Sequence, residues 1–242
     1  MLLLGNDIVD LKQAGVRGKR QHSRFVARVF TKAEQTFIQD SPEPDLALWA
    51  LWAAKESAYK LISKITSPPV FSHRRFAAVL QDGIQVKTGD ATFSMLINFE
   101  DQVMLIEIQI TRDYILAKGQ FAGGGAPADY VVISGVEQIT AAEEAEWPDE
   151  LLLKNKFSAA ERESIHHAAA ARARILCKQA IAGKIGFDIS RLQIIRPVRG
   201  GKSQPPYLLQ DDQRCDIDIS LSHHGQRVAW CGSVPGEACR KK

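Results

Sequence analysis

The sequence offers few quick assignments. No run of apolar residues approaches the ~20 that a membrane-spanning helix needs, and the opening MLLLGND is too short for a secretory h-region. The four cysteines, Cys177, Cys215, Cys231 and Cys239, form neither a CxxC pair nor the His-flanked spacing of a zinc site. Without a secretory signal they read as reduced thiols, and the expected location is cytoplasmic. An excess of one charge is also missing, since 31 basic side chains face 28 acidic ones and leave a formal +3. That balance, with no single basic stripe, makes a nucleic-acid-binding domain a poor reading. It still permits a phosphate-rich ligand or an acidic protein partner. What is present is 45% hydrophobic and 24% charged residues over 242 positions, enough to bury a core in one large domain or two ordinary ones.

The stretch Trp49–Leu61, WALWAAKESAYKL, is alanine-rich and free of Gly and Pro, so it predicts more than three turns of helix. On that helix Trp52, Glu56 and Lys60 fall at i, i+4 and i+8 and share one face. Alone, Glu56 and Lys60 are an ordinary surface pair worth a few tenths of a kcal/mol. Beside a second carboxylate they become a set able to hold a metal ion and a phosphate together.

Read in order, Leu2–Leu4 predicts a short buried strand that turns at Gly5, leaving Asp7 at its mouth and Asp10 three residues on. Arg24–Asp40 has helical periodicity with a break near Thr31, and Thr31 with Glu34 forms a capping box. After the central helix, Pro68-Pro69 stops the pattern. Apolar runs at Phe76–Leu80, Ile84–Lys87, Thr92–Asn98, Val103–Ile110 and Tyr114–Lys118 predict an antiparallel meander, with Asp82-Gly83 as a hairpin turn. The glycine-rich QFAGGGAPAD at 120–129 reads as a linker. Beyond it come a strand at Tyr130–Ser134, a helix at Thr140–Trp147, and one long helix from Ser158 to Gly183 or Gly186 with His166 and His167 on its surface. Strands are expected at Ile189–Ile195, Ile217–Leu221 and Val228–Gly232, with GGKSQPPY as a loop. FTKAE at 30–34 and FSAAE at 157–161 are alike and suggest an old duplication. The expected fold is α+β. Two similar halves, 1–119 and 130–236, are expected to be related by a pseudo-two-fold, each a long helix on a small antiparallel sheet.

GNDIVD, RVFTKAEQ and LWAAKESAYK, in that order, resemble the signature of the 4′-phosphopantetheinyl transferases. That resemblance implies transfer of the phosphopantetheine arm of coenzyme A to a serine of an apo acyl or peptidyl carrier protein, releasing adenosine 3′,5′-bisphosphate. It implies Mg²⁺, with Mn²⁺ as an alternative, held by Asp7 and Glu56. Asp7, Glu56 and Lys60 would be the catalytic set. The later half resembles the other half of the large pseudo-dimeric members, though here in swapped order, as in a circular permutant. Through ARARILCKQAI, GGKSQPPY and ISLSHHGQRVAW it implies Arg174, Lys202, Ser222 and His223 as coenzyme contacts, with the coenzyme between the halves of a monomer; Lys178, one turn on from Arg174, is a secondary candidate. Large members place a second acid two residues after the strand aspartate; Val9 stands there, and Asp10 follows. A non-catalytic coenzyme A or nucleotide-binding protein of the same fold is the rival reading.

Overall fold

Gly5 does not end the first strand. β1 runs from Leu2 to Asp10 without a break, so Asp7 sits mid-strand and not at a strand mouth. The reason is steric: a Cβ on Gly5 would lie 2.2 Å from the carbonyl oxygen of Ser57. The glycine lets the long helix lie directly on the strand, and the Ser57 hydroxyl donates to the Gly5 carbonyl at 2.8 Å.

The computed structural model describes residues 1–66, 72–80, 86–122 and 129–236. Pro68-Pro69, the Asp82-Gly83 turn and most of the glycine-rich linker fall outside those residues. The chain divides into two compact units: Gly5–Phe121, and Met1–Leu4 together with the described residues from Ala122 on. Leu4 groups with the later unit, where its amide donates to the buried carboxylate of Asp218 at 2.6 Å. Among the described residues no helix is long and apolar enough to cross a membrane.

In the first unit, β1 is followed by α1 (Ser23–Val29), α2 (Lys32–Asp40) and α3 (Pro44–Ile65). The break near Thr31 is real, and its capping box with Glu34 is fully formed. α3 begins at Pro44, ahead of the Trp49–Leu61 stretch read from the sequence, because proline suits a first helical turn. Four strands follow: β2 (Ala77–Val79), β3 (Ala91–Phe99), β4 (Gln102–Ile110) and β5 (Tyr114–Ala122). The sheet order is β1-β5-β4-β3-β2, with antiparallel pairing from β2 through β5. The run at 84–87 makes no strand at Val86 or Lys87, and 84–85 are outside the described residues. Met104, Ile106, Ile108 and Ile110 are buried beneath α3 while Val103, Leu105 and Glu107 face out. That is the period-two pattern of a half-buried strand.

The second unit opens with β6 (Tyr130–Gln138), then α4 (Ala141–Ala145), α5 (Glu150–Lys156), α6 (Ala159–Arg162) and α7 (Ala168–Ile185). The run read as one helix from Ser158 is therefore two. His167 is in extended backbone, and its ring nitrogen accepts from the Ala170 amide at 3.1 Å, capping α7. Ile165 in the break buries itself against Phe157, Ala170 and Ala171, a tertiary contact that local propensity does not report. Ile189–Arg191 is a 3-10 turn before β7 (Leu192–Ile195). The expected loop holds a small hairpin of β8 (Val198–Arg199) and β9 (Lys202–Ser203), turned by Gly200 and Gly201 at positive φ. β10 (Tyr207–Gln210), β11 (Gln213–Arg214), β12 (Asp218–His224) and β13 (Arg227–Pro235) complete it. One sheet is ordered β12-β13-β6 and another β11-β10-β7, and α7 packs on β13, β12 and β7. The α+β class therefore holds for both units.

Candidate active site

Leu48, Leu51, Ala54, Ala58, Leu61 and Ile62 bury α3 in the first unit's core, while Trp52, Glu56 and Lys60 stay half-buried along the face the spacing predicted. The close approach at Gly5 sets that face over the middle of β1. The Lys60 ammonium donates to the Asp7 carboxylate at 3.0 Å and to the Asn6 carbonyl at 2.7 Å. Asp7 is nonetheless pushed up to about 6 from an ordinary 3.8, first by burial and also by the negative charge of Glu56, with Lys60 pulling the other way. Two carboxylates with one ammonium are thus brought together by β1 and α3, two segments about fifty residues apart. Their surplus negative charge and oxygen donors suit a hard divalent cation. No cluster of three His, Cys, Asp or Glu residues occurs among the described residues, so Asp7 and Glu56 are a two-residue set. Asp10 does not join it: it is buried, and its carboxylate accepts from the Lys12 amide at 3.0 Å.

A residue that the spacing did not suggest completes the site. His73, in a 3-10 turn at His73–Arg75, brings Nε2 to 3.2 Å from Glu56 Oε1, and its ring stacks on Trp52 with centroids 4.3 Å apart. Trp52 is therefore a wall of the site, whereas Trp49 is core, its indole N–H donating to the Val16 carbonyl. Behind His73 stands Lys55, fully buried, donating to Glu34, to the His73 carbonyl and to the Phe76 carbonyl. No motif near His73 marks it; only the turn after α3 delivers it.

Residues 3–117 match the 4′-phosphopantetheinyl transferase superfamily. The resemblance read from GNDIVD, FTKAE and WAAKESAYK therefore holds over the first unit, and nearly all of the second lies outside the match. The chain is also similar to a holo-(acyl-carrier-protein) synthase of Protochlamydia amoebophila (strain UWE25), 37% identical over 59 residues. That stretch is 24% of this chain and 48% of the relative, so the chain spans about half the length of the curated relative it matches.

The second unit's expected site residues divide. His223 is exposed, and its ring meets that of His167 edge-on at 4.4 Å, while Ser222 beside it is buried. Arg174 is 3% exposed; its guanidinium donates to the Ala170 carbonyl and to Ser164, and its Nε has no hydrogen-bond partner. Burial first, and then the charge of Arg196, push Arg174 down to about 10. Burial, His166 and Arg174 also lower His167. Lys202 stands apart on the exposed β8–β9 hairpin. Lys178 is interior: 3% exposed, it donates to Glu161 at 2.9 Å and to the Lys156 carbonyl at 3.1 Å, and lies over the Phe157 ring. Its ammonium is thus engaged inside the unit, as a buried structural lysine would be. In the first unit, Arg24 and Arg28 line an exposed hollow of about 420 Å³ with His22 and Phe25.

Proposed function

We propose that this protein transfers the 4′-phosphopantetheine arm of coenzyme A to a serine of an apo acyl or peptidyl carrier protein, releasing adenosine 3′,5′-bisphosphate. One coincidence carries the reading: the Asp7–Glu56–Lys60 cluster forms inside the segment that matches the superfamily. Transfer from a pyrophosphate is mostly positioning and charge neutralisation. Asp7 and Glu56 would hold Mg²⁺ or Mn²⁺, which when bound offsets the pyrophosphate charge. Lys60 then turns its ammonium from Asp7 to a phosphate oxygen or the leaving group. Glu56 accepts the proton of the attacking serine, by itself or through an ordered water. Ser222, His223, Lys202 and Arg174 would contribute coenzyme-phosphate contacts in this reading. The arginines of α1 suit an acidic carrier protein.

The test is incubation with fluorescently tagged coenzyme A, Mg²⁺ and a panel of apo carrier proteins. Mg²⁺-dependent labelling of a carrier serine is the expected result. Coenzyme A binding without labelling of any carrier would favour the non-catalytic rival.

A further inference from the structure

A carboxylate that must serve as metal ligand or proton acceptor has two equivalent oxygens and a rotatable end. Fixing one oxygen decides where the other points. At Glu56, Oε1 is taken by His73 Nε2 at 3.2 Å. An ionised carboxylate only accepts, so this contact places the imidazole proton on Nε2. The ring has little freedom to leave. One face lies on Trp52, at 4.3 Å and 27° between planes, and Trp52 is itself packed on Phe25 at 5.5 Å. The backbone of His73 is tethered as well: its carbonyl accepts from the Lys55 ammonium at 3.1 Å, and Lys55 is pinned to the buried Glu34 at 2.8 Å. A chain of contacts therefore runs from the Thr31–Glu34 capping box through Lys55 to the His73 backbone, and from the ring to Glu56.

We infer that His73 is a positioning residue that holds Glu56 Oε1 and thereby aims Oε2 at the Asp7 side of the site, with Trp52 and Lys55 keeping His73 in place. The inference rests on the proposed role of Glu56, but not on the identity of the carrier. The effect of His73 passes through Glu56, the carboxylate it bonds.

The experiment titrates Mg²⁺ against the full-length protein without coenzyme A or carrier, following the midpoint of thermal unfolding, and in parallel measures label transfer. His73→Ala should weaken the Mg²⁺ response ~10–100-fold, the usual scale for losing a residue that orients a metal ligand. In transfer assays it should raise the Mg²⁺ requirement more than it lowers the rate at saturating Mg²⁺. His73→Gln, whose amide nitrogen reaches the place of Nε2, should recover most of both. Trp52→Leu should fall between. An unchanged Mg²⁺ titration in His73→Ala overturns the inference. So does equal loss in His73→Ala and His73→Gln, which would mark a purely structural role. If His73→Ala weakens Mg²⁺ binding while the wild type labels no carrier, the inference stands and the proposed reaction falls.

Discussion

In the first unit the ammonium of Lys55 on α3 meets the buried Glu34 of α2, and Glu34 accepts the Ala78 amide at the start of the sheet. In the second, Lys178 on α7 meets the buried Glu161 of α6, and Glu161 accepts the Ile194 amide of β7. Each glutamate closes a capping box, with Thr31 or Ser158, and each ammonium lies over the ring that precedes the box, Phe30 or Phe157. The sheets differ: β1-β5-β4-β3-β2 is continuous in one unit, while β12-β13-β6 and β11-β10-β7 are separate in the other. Beside the latches the units part. Aligning Lys55 with Lys178 sets Gln179 opposite Glu56 and Gly183 opposite Lys60. The buried pair therefore serves the packing of both units, and the Glu56–Lys60 pair stands beside only one of the two latches. A lysine on a helix of this kind is not evidence of a phosphate site until its burial is known.

The largest effect expected comes from breaking either latch. Glu34→Ala and Glu161→Ala each strand a buried ammonium, so each should cost ~3–5 kcal/mol in urea unfolding. Only Glu34→Ala should also weaken the Mg²⁺ response among folded molecules, because Lys55 also anchors His73. An equal loss in Glu161→Ala would erase the division drawn between the two latches.

Next is the chemistry beside the latch. Glu56→Gln or Lys60→Ala should lower carrier labelling by about two orders of magnitude or more, the scale of acid–base and electrostatic groups. The matched changes Gln179→Ala and Gly183→Ala should leave labelling within a few-fold. Near wild-type labelling by Glu56→Gln would remove that carboxylate from the mechanism.

Asp7 gives a smaller effect with a definite sign. Its folded value of about 6 lies above the ordinary 3.8, so the stability it contributes is complete below about pH 3.8 and is lost as pH rises through about 6. Asp7→Asn should therefore stabilise the metal-free protein at pH 7, by up to roughly 2–3 kcal/mol for a shift of about two units. The wild-type response to Mg²⁺ should strengthen between pH 5 and 7, as ligand oxygens must be ionised, and Asp7→Asn should flatten that dependence. Thermal unfolding across pH, with and without Mg²⁺, reads both.

The smallest contrast is between two glycines. Gly5→Ala pushes a methyl into the Ser57 carbonyl and should cost ~1–3 kcal/mol. Gly183→Ala, in the interior of α7 with open space around its Cβ, should gain up to ~1 kcal/mol. Calorimetry of the two variants would show the opposite signs.

The sequence by itself determined the elements whose causes are local. The Thr31–Glu34 box, the meander from β3 to β5 and the shared face of Trp52, Glu56 and Lys60 follow from capping chemistry and from periods of two and 3.6. The motif order also pointed to the superfamily, because Gly-x-Asp and Lys-Glu-x-x-x-Lys are short and contiguous. What only the tertiary structure decided are the long-range facts. Gly5 serves close helix–strand packing and not a turn, since the clash it avoids is with Ser57, fifty-two residues away. α6 and α7 separate at His167, where burial of Ile165 outweighs the helical propensity of the surrounding alanines. His73 meets Glu56, and Lys178 is buried against Glu161, because a side chain's partners across space are set by packing, and neither periodicity nor local spacing encodes them.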